Sequence, residues 1–167
     1  MTKLLTWRNE WSLGIDTLDR DHRALIERMG DLCVRYCPQL FDPRAQTFAG
    51  SRILASFDLP GQQSTGLLAD LQALGEQMRA HMRREEAFMR AIGYERLAEH
   101  QGEHAILMAE YREMLRGWQD SGLQVFSEST QEGVRRWLLD HILGADREFA
   151  EFYFRICGQD GLRVGHG

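Results

Sequence analysis

Apolar residues recur every three or four positions along four stretches of the chain, the period of a helix with one buried face. In the first, from about Asp19 to Cys37, these are Leu25, Ile26, Met29, Cys33 and Cys37, and Pro38 ends the run. A second, from about Ser64 to Ile92, carries Leu67, Leu68, Leu71, Leu74, Met78, Met82, Phe88 and Met89. Ser64 suits its N-cap and Gly93 its C′ position. Leu97, Leu107, Met108, Tyr111, Leu115 and Trp118 define a third, from about Glu95 to Asp120, stopped by Asp120-Ser121-Gly122. The fourth runs from about Ser129 to Cys157, with Val134, Trp137, Leu138, Ile142, Ala145, Phe149, Phe152 and Ile156 inward.

Between these stretches the pattern changes. Residues 1–18 hold Trp7, Trp11 and Gly14 with little periodicity and read as an ordered N-terminal arm laid over apolar surface. All three prolines of the chain fall at Pro38, Pro43 and Pro60, so 38–65 is expected to be a long connection. The connections between the later helices are short, which favours antiparallel neighbours. The expected fold is therefore all-α: an antiparallel up-down four-helix bundle, with 1–167 as a single domain.

Composition narrows the function. With 43% hydrophobic and 27% charged residues the chain is expected to fold in water, and its net charge of −5, with no basic run, argues against nucleic acid. No stretch reaches the roughly 20 apolar residues of a membrane span, and the start MTKLLTWRNEW turns polar before a secretory segment forms. A cytoplasmic protein is expected. The three cysteines, Cys33, Cys37 and Cys157, show no CxxC spacing and no disulfide framework. Cys33 lies about 20° from His22 in helical direction and Cys37 one turn on; buried structural thiols are the simpler reading than a redox pair.

The six histidines are more informative. Residues four apart on a helix differ by about 40° in direction, so such a pair can address one metal from consecutive turns. His81 and Glu85 (HMRRE) form one pair, and His100 and His104 (HQGEH) another, both in register with apolar neighbours. On the fourth helix His141 and Asp146 (HILGAD) are separated by about 140°, so a distortion or π-type turn near Gly144 is predicted to bring both inward. The first helix contributes His22 alone.

A single HxxxH is more often decoration than a site, but burying five imidazoles without a ligand would cost several kcal/mol. Five histidines and two carboxylates exceed a tetrahedral zinc site and suit two adjacent six-coordinate ions, of which iron is the natural choice. Two ferrous ions set against two carboxylates and one hydroxide leave a residual charge of about +1, tolerable on burial. So histidine-rich a site is less inclined to break the O–O bond than a carboxylate-rich one.

The order H…HxxxE…HxxxH…HxxxxD resembles the hemerythrin family. Trp7, the GID and LDRDH stretch before His22, HMRREEAFM, IGYERLAEHQGEH and WLLDHILGAD agree with it. The resemblance implies one iron on His100, His104 and His141 and a second on His22 and His81. Glu85 and Asp146 would bridge them, together with an oxo or hydroxo group. The second iron would keep an open position for dioxygen, with Trp137, Leu138 and Ile142 lining a dry oxygen pocket.

Two features depart from the family pattern: a longer connection before His81, a candidate lid or partner surface, and Asp21 where the family often has Gln. The implied function is reversible dioxygen carriage, storage or delivery by a monomer or weak oligomer. The alternatives are a sensor of oxygen, nitric oxide, iron or redox state acting through a separate protein, and an enzyme reducing peroxide or nitric oxide. The histidine-rich ligation argues against the enzyme.

Overall fold

The computed structural model describes residues 6–36, 66–123 and 125–163, the last five of these by their backbone alone. Cys37, the 38–65 connection with Ser64, and the tail with His166 lie outside the described residues. Among the described residues every regular element is a helix. A 3₁₀ turn at Asn9–Trp11 precedes α1 (Asp16–Tyr36), α2 (Leu67–Ala91), α3 (Leu97–Asp120), α4 (Glu128–Leu143) and α5 (Ala145–Arg163).

These segments form a four-helix bundle whose fourth rod is α4 and α5 in succession. The single fourth helix expected from the apolar pattern is thus interrupted at Gly144, where φ is −101° and ψ −97°. The rods are antiparallel. His22 and Arg35 of α1 meet His81 and Asp70 of α2, and Glu85 and Leu71 of α2 meet His100 and Tyr111 of α3. Similarly, His104 and Leu107 of α3 meet His141 and Trp137 of α4.

Helix ends are fixed by local hydrogen bonds. After α2, the Tyr94 N–H donates to the Met89 carbonyl and the Gly93 N–H to that of Arg90, the paired bonds of a Schellman motif. Gly93 takes the required left-handed conformation at φ +71°. Gly122, at φ +64°, closes α3 in the same way. Ser127 caps α4, accepting from the Thr130 N–H.

α1 begins earlier than its apolar pattern suggests, because Asp19 holds the preceding arm. Its carboxylate accepts from the Leu13 N–H at 2.7 Å, the Gly14 N–H at 3.1 Å and the Ser12 hydroxyl at 2.5 Å. That clamp sends Trp11, Leu13 and Ile15 into the protein.

Two apolar clusters result. The larger contains Trp11, Leu25, Ile26, Met29, Leu71, Leu74, Met78, Met82, Tyr111, Val134, Leu138 and Ile142. The smaller gathers Leu13, Ile15, Leu18, Met89, Tyr94, Phe149 and Ala150. Along α1 and α3, His22, His100 and His104 fall between residues of the two clusters, while on α2 and α4 His81 and His141 sit beside Met82 and Ile142 of the larger one. The apolar side chains of both clusters, each contributing about 1.5–3 kcal/mol on burial, surround these polar groups.

Gly75 makes one close approach possible. A Cβ there would lie 2.6 Å from the ring of Tyr111, which donates its hydroxyl to the Leu71 carbonyl at 2.7 Å. On its other side Tyr111 stacks on Trp137, centroids 4.3 Å apart.

Candidate metal centre

The seven side chains expected from sequence converge in one buried layer. His22 comes from α1, His81 and Glu85 from α2, His100 and His104 from α3, His141 from α4 and Asp146 from α5; none is more than 5% exposed. The i,i+4 pairs sit on regular helix. Asp146 is brought inward by the break at Gly144, where the Gly144 N–H turns back to the His141 carbonyl and the Glu148 N–H takes up the Gly144 carbonyl. A regular helix would have pointed it away from His141.

Two overlapping donor groups result. Glu85, His100, His104, His141 and Asp146 form one, and His22, His81, Glu85 and Asp146 the other. The imidazole–imidazole and Asp146 separations match neighbouring corners of a coordination octahedron, about 3.0 Å for metal bonds of about 2.1 Å, and those of Glu85 are longer. His22 Nε2 lies 3.1 Å from His81 Nε2, and His104 Nε2 lies 3.1 Å from His141 Nε2. Asp146 divides its oxygens, Oδ2 standing 3.0 Å from His22 and Oδ1 3.0 Å from His141. Glu85 presents Oε2 to His104 at 3.3 Å, to His100 at 3.4 Å and to His81 at 3.8 Å.

The donor atoms are poorly satisfied by one another. Neither Asp146 oxygen nor Glu85 Oε1 has a partner in hydrogen-bonding geometry among the described residues. Buried acceptors without partners are costly, and a cation between them is the group the layer fits. Burial works against charge on His22 and His104, yet the Asp146 carboxylate raises the pKa of the first, and Glu85 with Glu86 that of the second. Burial likewise pushes Glu85 and Asp146 up, but the surrounding imidazoles hold both below the usual carboxylate range.

A second ring of carboxylates lies behind the imidazoles, and sequence reasoning missed it. Glu86 Oε1 stands 2.6 Å from His104 Nδ1 and is steadied by Gln101, whose amide donates at 2.9 Å. Asp21 Oδ2 faces His81 Nδ1 at 3.4 Å and accepts from Arg84 Nε at 2.8 Å. Its interaction with His81, followed by that with Arg84, holds the Asp21 carboxyl down at about 2. Such partners fix the tautomer of a ligating imidazole and strengthen it as a donor. The available signal was position: Asp21 and Glu86 each adjoin an expected ligand in sequence.

Trp137, Leu138 and Ile142 are all buried. Trp137 donates its indole N–H to the Leu107 carbonyl at 2.9 Å, while Leu138 and Ile142 belong to the larger apolar cluster. Over His100 a shallow surface pocket is lined by Tyr94, Arg96, Glu99, Glu103, Ala145 and Glu148. Arg96 spans it, paired with Glu99 at 2.8 Å and Glu148 at 2.7 Å.

Five imidazoles and two carboxylates buried across a four-helix bundle define a metal-binding helical protein. The family can be stated as well: the profile of the Hemerythrin HHE cation binding domain matches residues 13–153, and the chain belongs to that family. It is 26% identical over 151 residues to the Bacteriohemerythrin of Stenotrophomonas maltophilia (strain R551-3), covering 89% of this chain and 80% of that protein. To the Bacteriohemerythrin of Clostridium acetobutylicum it is 22% identical over 148 residues, covering 89% of this chain and 100% of that protein. No solved structure matches it significantly.

Proposed function

We propose that this chain is a non-haem di-iron protein that binds dioxygen reversibly, for carriage, storage or delivery. The observation that carries the reading is the inequality of the two donor groups around shared carboxylates. His100, His104 and His141 would hold one iron and His22 and His81 the other, with Glu85 and Asp146 common to both. Three imidazoles, two carboxylates and a solvent-derived bridge fill six positions on the first ion; the second is one donor short, which leaves room for a small ligand. When bound, the iron pair supplies two electrons that a dioxygen molecule can accept and return.

The chain's own residues serve reversibility. Asp146 and Glu85 would hold the pair, the neutral imidazoles would supply less anionic charge than a carboxylate-rich set and so disfavour high oxidation states, and the outer carboxylates would lock ring orientation. Trp137, Leu138 and Ile142 would form the dry wall that keeps protons from the bound ligand. Similarity to two bacteriohemerythrins supports the reading. Among the described residues no helix is long and apolar enough to cross a membrane. We place the protein in the cytoplasm, with 38–65 as the candidate surface for a partner.

The test is an optical cycle. Iron-loaded protein is reduced under argon, exposed to air and flushed with argon again. A visible band that appears with oxygen and vanishes on flushing is expected. Immediate, irreversible conversion to the oxidised form points instead to sensing, and repeated turnover of peroxide or nitric oxide to an enzyme.

A further inference from the structure

The two outer carboxylates differ in what stands behind them. Glu86, behind His104, is held by the neutral amide of Gln101. Asp21, behind His81, is held by a cation: Arg84, one turn on from His81 along α2, reaches across to α1 and donates its Nε at 2.8 Å. Asp21 is 22% exposed and Arg84 56%, so the series Arg84–Asp21–His81 runs from solvent to a fully buried imidazole. No other inward-facing histidine has a guanidinium behind its outer partner among the described residues.

We infer that Arg84 and Asp21 are positioning residues that set the donor strength of His81, and through it the reduction potential of the ion lacking a third imidazole. This rests on the two-ion reading above. An aspartate accepting a hydrogen bond from the Nδ1–H of a ligating imidazole makes that ring a stronger donor and stabilises the more highly charged metal. A guanidinium on the same carboxylate draws charge away and weakens the effect. The two residues therefore act in opposite directions on one ring. Because Arg84 is exposed, an anion or a partner's carboxylate that engages its guanidinium changes the charge Asp21 presents to His81. The bland alternative, a surface ion pair tying α1 to α2, predicts small effects of the same sign for both residues.

The experiment uses iron(II) as the probe in the full chain. Wild type, Asp21→Asn, Arg84→Gln and the double variant are loaded without oxygen. Iron retention against a chelator and the potential of the bound pair are then recorded. Asp21→Asn is expected to hold one of two irons about 10–100-fold less tightly and to shift the potential upward. Arg84→Gln is expected to shift it downward. The double variant should match Asp21→Asn alone, because Arg84 acts only through the carboxylate. Shifts of the same sign, or an Arg84 effect that persists without Asp21, overturn the relay. Uptake of fewer than two irons by wild type overturns the two-ion reading and the relay together, a separate result.

Discussion

At the scale of single residues, Asp146 carries the largest share of the geometry, one oxygen turned to His22 and the other to His141. Glu85 faces both donor groups as well. Removing a shared carboxylate should therefore cost more than one ion's worth of binding, while removing an imidazole weakens mainly its own group. Glu85→Ala and His104→Ala are each expected to lower iron to below two per chain by metal analysis, whereas His166→Ala leaves it unchanged; equal loss in the His166 variant would show the ligand set to be wrong.

Proton competition follows from the same contacts. His22 and His104 hold protons above the ordinary imidazole value in the metal-free chain, so their pairing with Asp146 and Glu85 stabilises the apo fold fully below about pH 6.5. That contribution is lost as pH rises through the raised values. A metal must displace those protons, so affinity is expected to keep climbing with pH above 6.5, measured by chelator competition. A flat profile from pH 6 to 8 would contradict it. The i,i+4 pairs were legible in the sequence because helical period places them. Asp21 and Glu86 were not legible in their role, since each acts across an interface that periodicity does not describe.

At the scale of elements, Gly144 decides whether the fourth rod delivers its carboxylate. A Cβ there would sit 2.7 Å from the Asp140 carbonyl oxygen, a contact with backbone that cannot swing aside. Gly144→Ala is expected to move α5 relative to α4, carry Asp146 off the layer and reduce iron retention several-fold while the helical circular dichroism is kept. Full retention would show that the break is incidental. The about 140° between His141 and Asp146 already demanded a distortion. That the helix would be split in two was not legible, because the apolar positions continue in phase beyond it.

Gly75 has the opposite character, a packing role whose nearest contacts are with Tyr111 and not with a donor atom of the metal layer. The Tyr111 ring it touches is pinned by the Leu71 carbonyl on one side and Trp137 on the other. Gly75→Ala should destabilise the fold by about 1–3 kcal/mol in urea unfolding, with iron content unchanged. A neutral or stabilising result would mean that the ring shifts freely. Nothing in the sequence marked this glycine, because its partner lies on another helix.

At the scale of the whole molecule, the bundle carries a buried polar site flanked by two apolar clusters. The larger cluster packs beside the imidazoles from Leu25 to Ile142, and the smaller brings Tyr94 against His100. The antiparallel bundle was legible from four amphipathic stretches and short turns. The division of its core into two clusters was not, because apolar spacing runs through the site without pause. Membership of the hemerythrin family agrees with this arrangement over residues 13–153.

The inequality of the two donor groups is the feature on which the proposed chemistry depends. It is tested by an anomalous-scattering map of iron-loaded crystals. Two peaks about 3.5 Å apart are predicted, one beside His100, His104 and His141, the other beside His22 and His81, with Asp146 touching both. A single peak, or two with equal numbers of imidazoles, would contradict it.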